Sequence, residues 1–177
     1  TNIVWAPLTY GIKGISLSAN WMWPCRNPGE DARLFNAVKA ASDFAIALGI
    51  NIPTGKDSLS MTQKYPDGEK VYSPGTVIIS AVGEVSDIRK TIRPVIQPEF
   101  TSTLVYLDFS ASPLKTGGSS LAQSLNSLGD EAPTFADAQY FIKAFEAVQA
   151  LINREVVIAG HDISSGGLVT TRSGRAS

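Results

Sequence analysis

A polar, proline-bearing segment at residues 86–100 divides the chain into two halves with different hydrophobic patterns. Before this segment, apolar residues alternate with polar ones along short runs, which is typical of β-strands. After it, apolar residues recur three and four positions apart, and short apolar runs lie between these helical stretches. The chain of 177 residues is therefore predicted to be α+β, with a strand-rich first half and an α/β-type second half.

The first half is predicted to contain several strands and one long helix. Residues 14–19 and 76–85 have strand patterns, and the second run alternates so little at its start that both of its faces should be at least partly covered. Residues 34–48 place apolar side chains on one helix face, and Gly49 is a natural C-cap. Residues 64–73 include Pro-Asp-Gly and indicate an exposed hairpin tip.

The second half is predicted to begin with a strand at residues 103–109. A helix should follow over 121–128, and Thr134 should cap a longer helix that buries Phe135. Residues 156–159 form a short apolar run, which predicts a buried strand leading into a glycine-rich turn and the start of a helix.

These patterns predict four segments in the chain. Residues 1–88 form part of the strand-rich half, 89–100 a linker, and 101–171 an incomplete α/β half. Residues 172–177 are small and polar without any period, which suggests an artificial tail.

Composition limits the classes of partner. With 15 basic and 16 acidic residues, the formal net charge is -1, so nucleic acid is a poor candidate partner. A phosphorylated small molecule is compatible with this charge, because backbone N–H groups or a metal ion can hold phosphate. No apolar run approaches the roughly 18–20 residues that span a bilayer. The single cysteine, Cys25, cannot form an internal disulfide, and a cytoplasmic location is expected.

The motif G-H-D-I-S-S-G-G at residues 160–167 is the first candidate site. Its glycines allow a tight turn into a helix, where backbone N–H groups favour phosphate, and Asp162 could bind Mg²⁺. The alternative is purely structural, with Asp162 or Ser164 capping the helix. His161, the only histidine, has no partner that the sequence identifies, and one cysteine with one histidine cannot build a zinc site.

The motif G-K-D-S-L-S-M at residues 55–61 is the second candidate site. It resembles the end of a phosphate-binding P-loop, but the first glycine is missing and strand-like residues follow where a helix is needed. Lys56 and Asp57 could instead meet a phosphate and its metal ion from a strand. The alternative is an exposed strand edge with solvated charges.

Taken together, four motifs resemble the large, single-chain type of phosphoribosylformylglycinamidine synthase. They are L-S-A-N-W-M-W at 17–23, G-E-D-A-R-L at 29–34, I-P-T-G-K-D-S-L-S-M at 52–61, and the 160–167 motif. Their order and spacing match as well, and the resemblance covers residues 1 to about 171.

This resemblance implies an activity and a fold. The family uses ATP and glutamine to convert formylglycinamide ribonucleotide into formylglycinamidine ribonucleotide, through phosphorylation of the amide oxygen and displacement by ammonia. Its synthetase core is a pair of modules similar to aminoimidazole ribonucleotide synthetase, each with a strand-rich dimerisation half and an α/β half. The chain is then an internal piece of the second module, inactive without the first module and the glutaminase domain.

The resemblance also implies site residues. Asn2 and Asp162 fall on magnesium ligands, and Ser164 on a serine that contacts the nucleotide, ATP or ADP. Lys56, Asp57 and Ser58 lie in the family's G-K-D-S strand, near phosphates or the ribonucleotide, with Lys56 also a candidate nucleotide contact. Ser165 stands where the family more often has aspartate.

Two alternatives stay open at this point. The chain could belong to another ATP-dependent synthetase of the same superfamily. It could be a structural half-module whose nucleotide is bound permanently and never turned over. In each case the chain could self-associate through exposed strands.

Overall fold

The computed structural model describes residues 1–96 and 101–173. Their contacts form two compact units. We call Ile12–Glu84 the strand unit, and Thr1–Gly11 together with Val85–Ser177 the helical unit.

The strand unit is built around β1 (Ser16–Met22). This strand pairs in parallel with β2 (Asn51–Ser58) on one side and antiparallel with β5 (Thr76–Val82) on the other. A separate antiparallel hairpin joins β3 (Thr62–Lys64) to β4 (Lys70–Tyr72). The predicted strands and hairpin of the first half are confirmed.

The helix α1 (Glu30–Leu48) makes the crossover that a parallel β1–β2 pair requires. It ends where the sequence predicts, because Gly49 adopts the left-handed conformation (φ 72°) and its N–H bonds to carbonyl groups in the last turn. Ala45 and Leu48 are buried, but Val38 is 41% exposed. The predicted apolar face is therefore buried mainly near its C-terminal end.

The prediction that both faces of β5 are at least partly covered holds, but the cover is slight. β5 is an edge strand with β1 as its neighbour in the sheet. Ile78 is 52% exposed on one face, and Ile79 is 43% exposed on the other. A run of apolar residues shows that a strand is suited to burial, but a covering element must also be present.

The helical unit has its core between α3 (Ala138–Asn153) and the 3₁₀ helix Asn2–Trp5, called η1 below. Val4, Phe145 and Ile152 are each no more than 2% exposed there. The spacing that predicts a long amphipathic helix in this region is confirmed.

The predicted start of α3 is wrong by a few residues. Asp137 is the N-cap, because its carboxylate accepts hydrogen bonds from the N–H groups of Gln139 and Tyr140. Thr134 and Phe135 precede the helix, and Phe135 is 39% exposed instead of buried.

Two predicted strands and most of one predicted helix are also wrong. Residues 103–109 and 156–159 are not strands, and no strand occurs among the described residues after Val82. A strand needs a partner backbone for its N–H and C=O groups, and neither segment pairs in a sheet. Only α2 (Ser120–Ser124) forms within the predicted 121–128 helix. The α/β arrangement of the second half stays a prediction.

The predicted linker, 89–100, is packed at its start. A 3₁₀ helix spans Ile88–Lys90, and the Ile92 N–H bonds to the Trp5 carbonyl oxygen at 2.9 Å. Residues 97–100 lie outside the described residues. The helix expected after the glycine-rich turn is α4 (Gly167–Ser173), so it includes the first two residues of the predicted tail. Residues 174–177 are outside the described part, and the four predicted segment limits stay predictions.

Candidate functional site

The glycine-rich turn of the helical unit is shaped by backbone contacts. Gly166 and Gly167 have φ values of 88° and 69°, a backbone conformation that residues with a side chain rarely adopt. The Gly167 N–H bonds to the Ser164 carbonyl oxygen at 2.9 Å and closes the turn ahead of α4. At the other end, Gly160 lies so close to the Trp5 ring that a Cβ atom would collide with it. The turn is thereby anchored to η1.

A cavity of about 360 Å³ lies beside this turn. Its walls are mostly apolar, and His161 and Asp162 contribute polar side chains. The full lining is Thr1, Val4, Trp5, Ile96, Leu104, Val105, Tyr106, Leu107, Phe109, His161, Asp162, Ile163, Leu168 and Thr171. The start of η1 and the turn at 160–167 therefore border the same cavity, although about 160 positions separate them in the sequence.

The Asp162 side chain lines this cavity together with Thr1, Val4 and Trp5. This side chain is 24% exposed, so the carboxylate remains accessible from the cavity.

His161 is oriented by its neighbour. Its Nδ1 atom lies 2.5 Å from the Asp162 carbonyl oxygen and 3.5 Å from Oδ1 of the same residue. A carbonyl oxygen can only accept, so Nδ1 carries the hydrogen, and Nε2 is the acceptor in the neutral ring.

The predicted magnesium ligands fit in chemical type but are incomplete as a set. Asn2 begins η1 and is exposed, next to the cavity-lining Thr1. A carboxylate and an amide oxygen are the hard donors that Mg²⁺ prefers, with phosphate oxygens and water completing its shell. Within the described ranges, no cluster of three or more His, Cys, Asp or Glu side chains could hold a metal ion. Ser164 is exposed on the turn and outside the cavity lining.

The second motif lies on β2 in the strand unit, at an edge of its sheet. Lys56 Nζ donates to Ser58 Oγ at 2.7 Å, as expected for residues two positions apart on one strand face. Asp57 lies on the opposite face, paired in register with Trp21. The structure therefore brings Lys56 and Ser58 together and separates Asp57 from them.

Sequence reasoning missed the residues that share this face with Lys56. In register, Asn20 is opposite Lys56 on β1, and Ile78 is opposite Asn20 on β5. The remaining members are small and mostly polar: Ser18, Thr54, Thr76 and Ser80, with Met22 at the edge. The sequence signal for this face was the placing of polar residues at every second position, as at Ser18 and Asn20 on β1 and at the hydroxyl residues of β2. These residues can be assigned to one face of the sheet only when the register between the strands is known.

Comparisons with known proteins agree with the motifs. The family described as FGAR-AT PurM_N-like domain matches residues 1–84. A probable phosphoribosylformylglycinamidine synthase of Arabidopsis thaliana, named as chloroplastic/mitochondrial, is 41% identical over 97% of this chain. A probable phosphoribosylformylglycinamidine synthase of Caenorhabditis elegans is 38% identical over 96% of the chain. The resemblance to the phosphoribosylformylglycinamidine synthases is confirmed.

The chain spans only a small part of these relatives. It covers 12% of the plant protein and 13% of the nematode protein. The matched region includes both the strand unit and the turn at 160–167, because nearly the whole chain aligns. Among the helices that the structure describes, none has the length and apolar character to cross a membrane.

Proposed function

We propose that this chain acts as part of a longer phosphoribosylformylglycinamidine synthase in purine biosynthesis. The whole protein would be an ATP-dependent C–N ligase that uses glutamine and formylglycinamide ribonucleotide, and the isolated chain would be inactive. The support is the identity of about 40% with two such synthases over nearly all of the chain. The first module and the glutaminase domain would be supplied by the rest of the polypeptide.

The observation that carries a nucleotide role is the common cavity of η1 and the 160–167 turn. In the proposal, Asp162 and Asn2 would hold Mg²⁺, and further ligands would come from outside the described residues. Bound Mg²⁺ would neutralise phosphate charge, which is the main requirement of phosphoryl transfer. Trp5, Tyr106 and Phe109 give the cavity the apolar, aromatic walls that suit a nucleobase. Ser164 would contact the nucleotide from the turn.

The strand unit would contribute an anion-binding surface. Lys56 supplies a positive charge, and its bond to Ser58 places ammonium and hydroxyl donors side by side on an exposed strand. In the proposal this pair contacts a phosphate of the ribonucleotide or nucleotide, and Asp57 acts from the other face. The small side chains on the same sheet face, Ser18, Thr54, Thr76 and Ser80, would leave room for the ligand.

The test is Asp162→Asn in the full-length protein, with Asp130→Asn as the matched control. Asp130 is an exposed carboxylate outside the cavity lining, so its loss removes the same charge without touching the site. Mg²⁺-dependent retention of ADP is measured as nucleotide content after gel filtration across a magnesium titration. We expect Asp162→Asn to weaken the apparent Mg²⁺ affinity by at least about tenfold. Equal retention in both variants would refute the metal role.

A second experiment, on the unsubstituted full-length protein, separates a catalytic site from an auxiliary one. Bound ADP that exchanges with labelled ATP during turnover indicates a catalytic site, whereas ADP that stays bound indicates a permanent, structural nucleotide. A cytoplasmic location also belongs to the proposal, in keeping with the single free cysteine. The name of the plant relative gives that protein an organellar location instead.

A further inference from the structure

Gln149 is the one buried polar side chain of the described core, with 4% of its surface exposed. It lies on α3, on the helix face that contains the buried Phe145 and Ile152. A polar amide in such a position is costly unless its hydrogen bonds are satisfied. Its partners therefore indicate why it is there.

All three partners belong to one short segment at the start of the chain. The Gln149 Nε2 atom donates to the carbonyl oxygens of Val4 at 2.6 Å and Ala6 at 3.0 Å. Its Oε1 atom accepts from the N–H of Leu8 at 2.8 Å. One side chain thus bonds to every second residue of an irregular segment, as a neighbouring strand would.

The segment that Gln149 holds is also the one that borders the candidate nucleotide cavity. Thr1, Val4 and Trp5 line that cavity together with Asp162. The Val4 carbonyl, which accepts the shortest of the three bonds, lies in η1, two residues after Asn2. The position of η1 relative to α3 therefore depends directly on this amide.

Helix α3 also contacts the C-terminal end of this segment, at Gly11. A Cβ atom at Gly11 would collide with the carboxylate of Glu146, which lies one helical turn before Gln149. Gly11 also has a φ of 56°, where glycine is favoured. The segment from η1 to Gly11 is thus in close contact with one face of α3 along its length.

We infer that Gln149 is a positioning residue for the magnesium-nucleotide site, because it holds the backbone of the segment that bears Asn2 and borders the same cavity as Asp162. It touches neither ligand nor metal and acts through the backbone of Val4, Ala6 and Leu8. This inference rests on the proposed function. Residues that orient metal ligands in this indirect way typically change metal affinity by about 10–100-fold when they are replaced.

The experiment compares three variants of the full-length protein. Gln149→Met has a similar length but forms none of the three hydrogen bonds. Gln149→Glu retains an acceptor for the Leu8 N–H but, when ionised, turns an oxygen towards the Val4 and Ala6 carbonyl groups. Ala147→Gly is the matched control, because it destabilises the same helix at an exposed position and leaves the amide in place.

Each variant is measured for the apparent Mg²⁺ affinity of ADP binding and for Tm. We expect both Gln149 variants to weaken the Mg²⁺ affinity by about tenfold or more. Ala147→Gly should lower Tm with less than about a twofold change in Mg²⁺ affinity, since it does not alter the hydrogen bonds. If Gln149→Met does not fold, Gln149→Glu alone provides the test.

Two results would overturn the inference, and they can be distinguished from each other. If Asp162→Asn weakens Mg²⁺ binding but the Gln149 variants behave like Ala147→Gly, the role of Gln149 is structural and the proposed function stands. If Asp162→Asn itself leaves Mg²⁺ affinity unchanged, the metal site of the proposed function fails, and the inference fails with it.

Discussion

The strand unit and the helical unit are each stabilised internally by a different kind of interaction. In the strand unit, β1 pairs with β2 and β5 through regular backbone ladders. In the helical unit, the decisive bonds join Gln149 to residues 141 and 145 positions away, and α3 packs against η1. The strands of one unit can be recognised from their repeating patterns, whereas no repeating pattern indicates the bonds that Gln149 makes in the other.

The units also differ in how well they cover their apolar residues. The helical unit buries Phe145 and Ile152 almost completely, but leaves Leu104 and Val105 more than half exposed at 59% and 65%. The strand unit has apolar residues of β5 exposed on both faces of its sheet. Substitutions should therefore be most costly in the α3–η1 core and less costly along the sheet.

The largest effect is expected for Phe145→Ala. The ring is 2% exposed, and removing it leaves a cavity in the α3–η1 core. We expect a loss of about 3–5 kcal/mol in the free energy of unfolding of the helical unit. Hydrogen exchange measured by mass spectrometry should show faster exchange in the segment 2–11 and unchanged exchange in β1.

The matched control is Phe35→Ala on α1, because Phe35 is 68% exposed. This substitution should change stability by less than about 0.5 kcal/mol. Similar losses for the two phenylalanines would contradict the location of the core.

A smaller effect, confined to the other unit, is expected for Gly55→Val. A Cβ atom at Gly55 would collide with the Ala19 carbonyl oxygen of β1, so the strands would have to separate. Forcing extra atoms into a close contact costs about 1–3 kcal/mol. The amide protons of β1 and β2 should exchange faster, and those of α3 should not.

Thr54→Val, one position earlier on β2, is the control for this substitution. It also introduces a β-branched apolar side chain, but at an exposed position. If Gly55→Val and Thr54→Val gave equal exchange rates, close approach of the two strands would not be the reason for glycine at position 55.

The smallest effect is expected at the Asp87–Arg89 ion pair of the helical unit, in which Arg89 is exposed and Asp87 is partly buried. Two hydrogen bonds of 2.9 Å from Arg89 Nε and Nη2 lower the pKa of Asp87 to about 2. Because the folded pKa is below the ordinary value, the stabilisation is complete above about pH 4 and is lost as pH falls through about 2. Solvent exposure keeps the effect on Tm at about 1–2 °C.

The measurement is a carboxyl NMR titration of Asp87 in the parent chain and in Arg89→Ala. The midpoint should be about 2 in the parent and should rise towards 3.8 when the guanidinium is removed. An unchanged midpoint in Arg89→Ala would show that Arg89 is not the cause.

Local patterns predicted well what local interactions determine. The end of α1 at Gly49 follows from a glycine that can adopt positive φ, and the hairpin between β3 and β4 follows from Pro-Asp-Gly. The helix α3 was recognisable from its apolar spacing, although its cap is Asp137 and not Thr134. Capping depends on which side-chain oxygen reaches the free N–H groups, and both residue types are good caps.

The candidate site was predictable in its residues but not in its arrangement. The motifs identified Asp162 and, through the family resemblance, Asn2, while the common cavity beside them appears only in three dimensions. The separation of Asp57 from Lys56 follows from strand alternation, but the neighbours of Lys56 on β1 depend on register. Gln149 has no sequence signal of function, because a glutamine on a helix is ordinarily exposed.

The sequence was enough to predict the strand-rich character of the first half, the main helices, the glycine-rich turn and the family resemblance. These depend on the conformational preferences and spacing of neighbouring residues. Only the folded chain shows that β5 is largely exposed, that residues 103–109 form no strand, and that η1 and the 160–167 turn border one cavity. Burial, strand pairing and a shared site all need a partner from elsewhere in the chain, and a local pattern does not specify which partner is present.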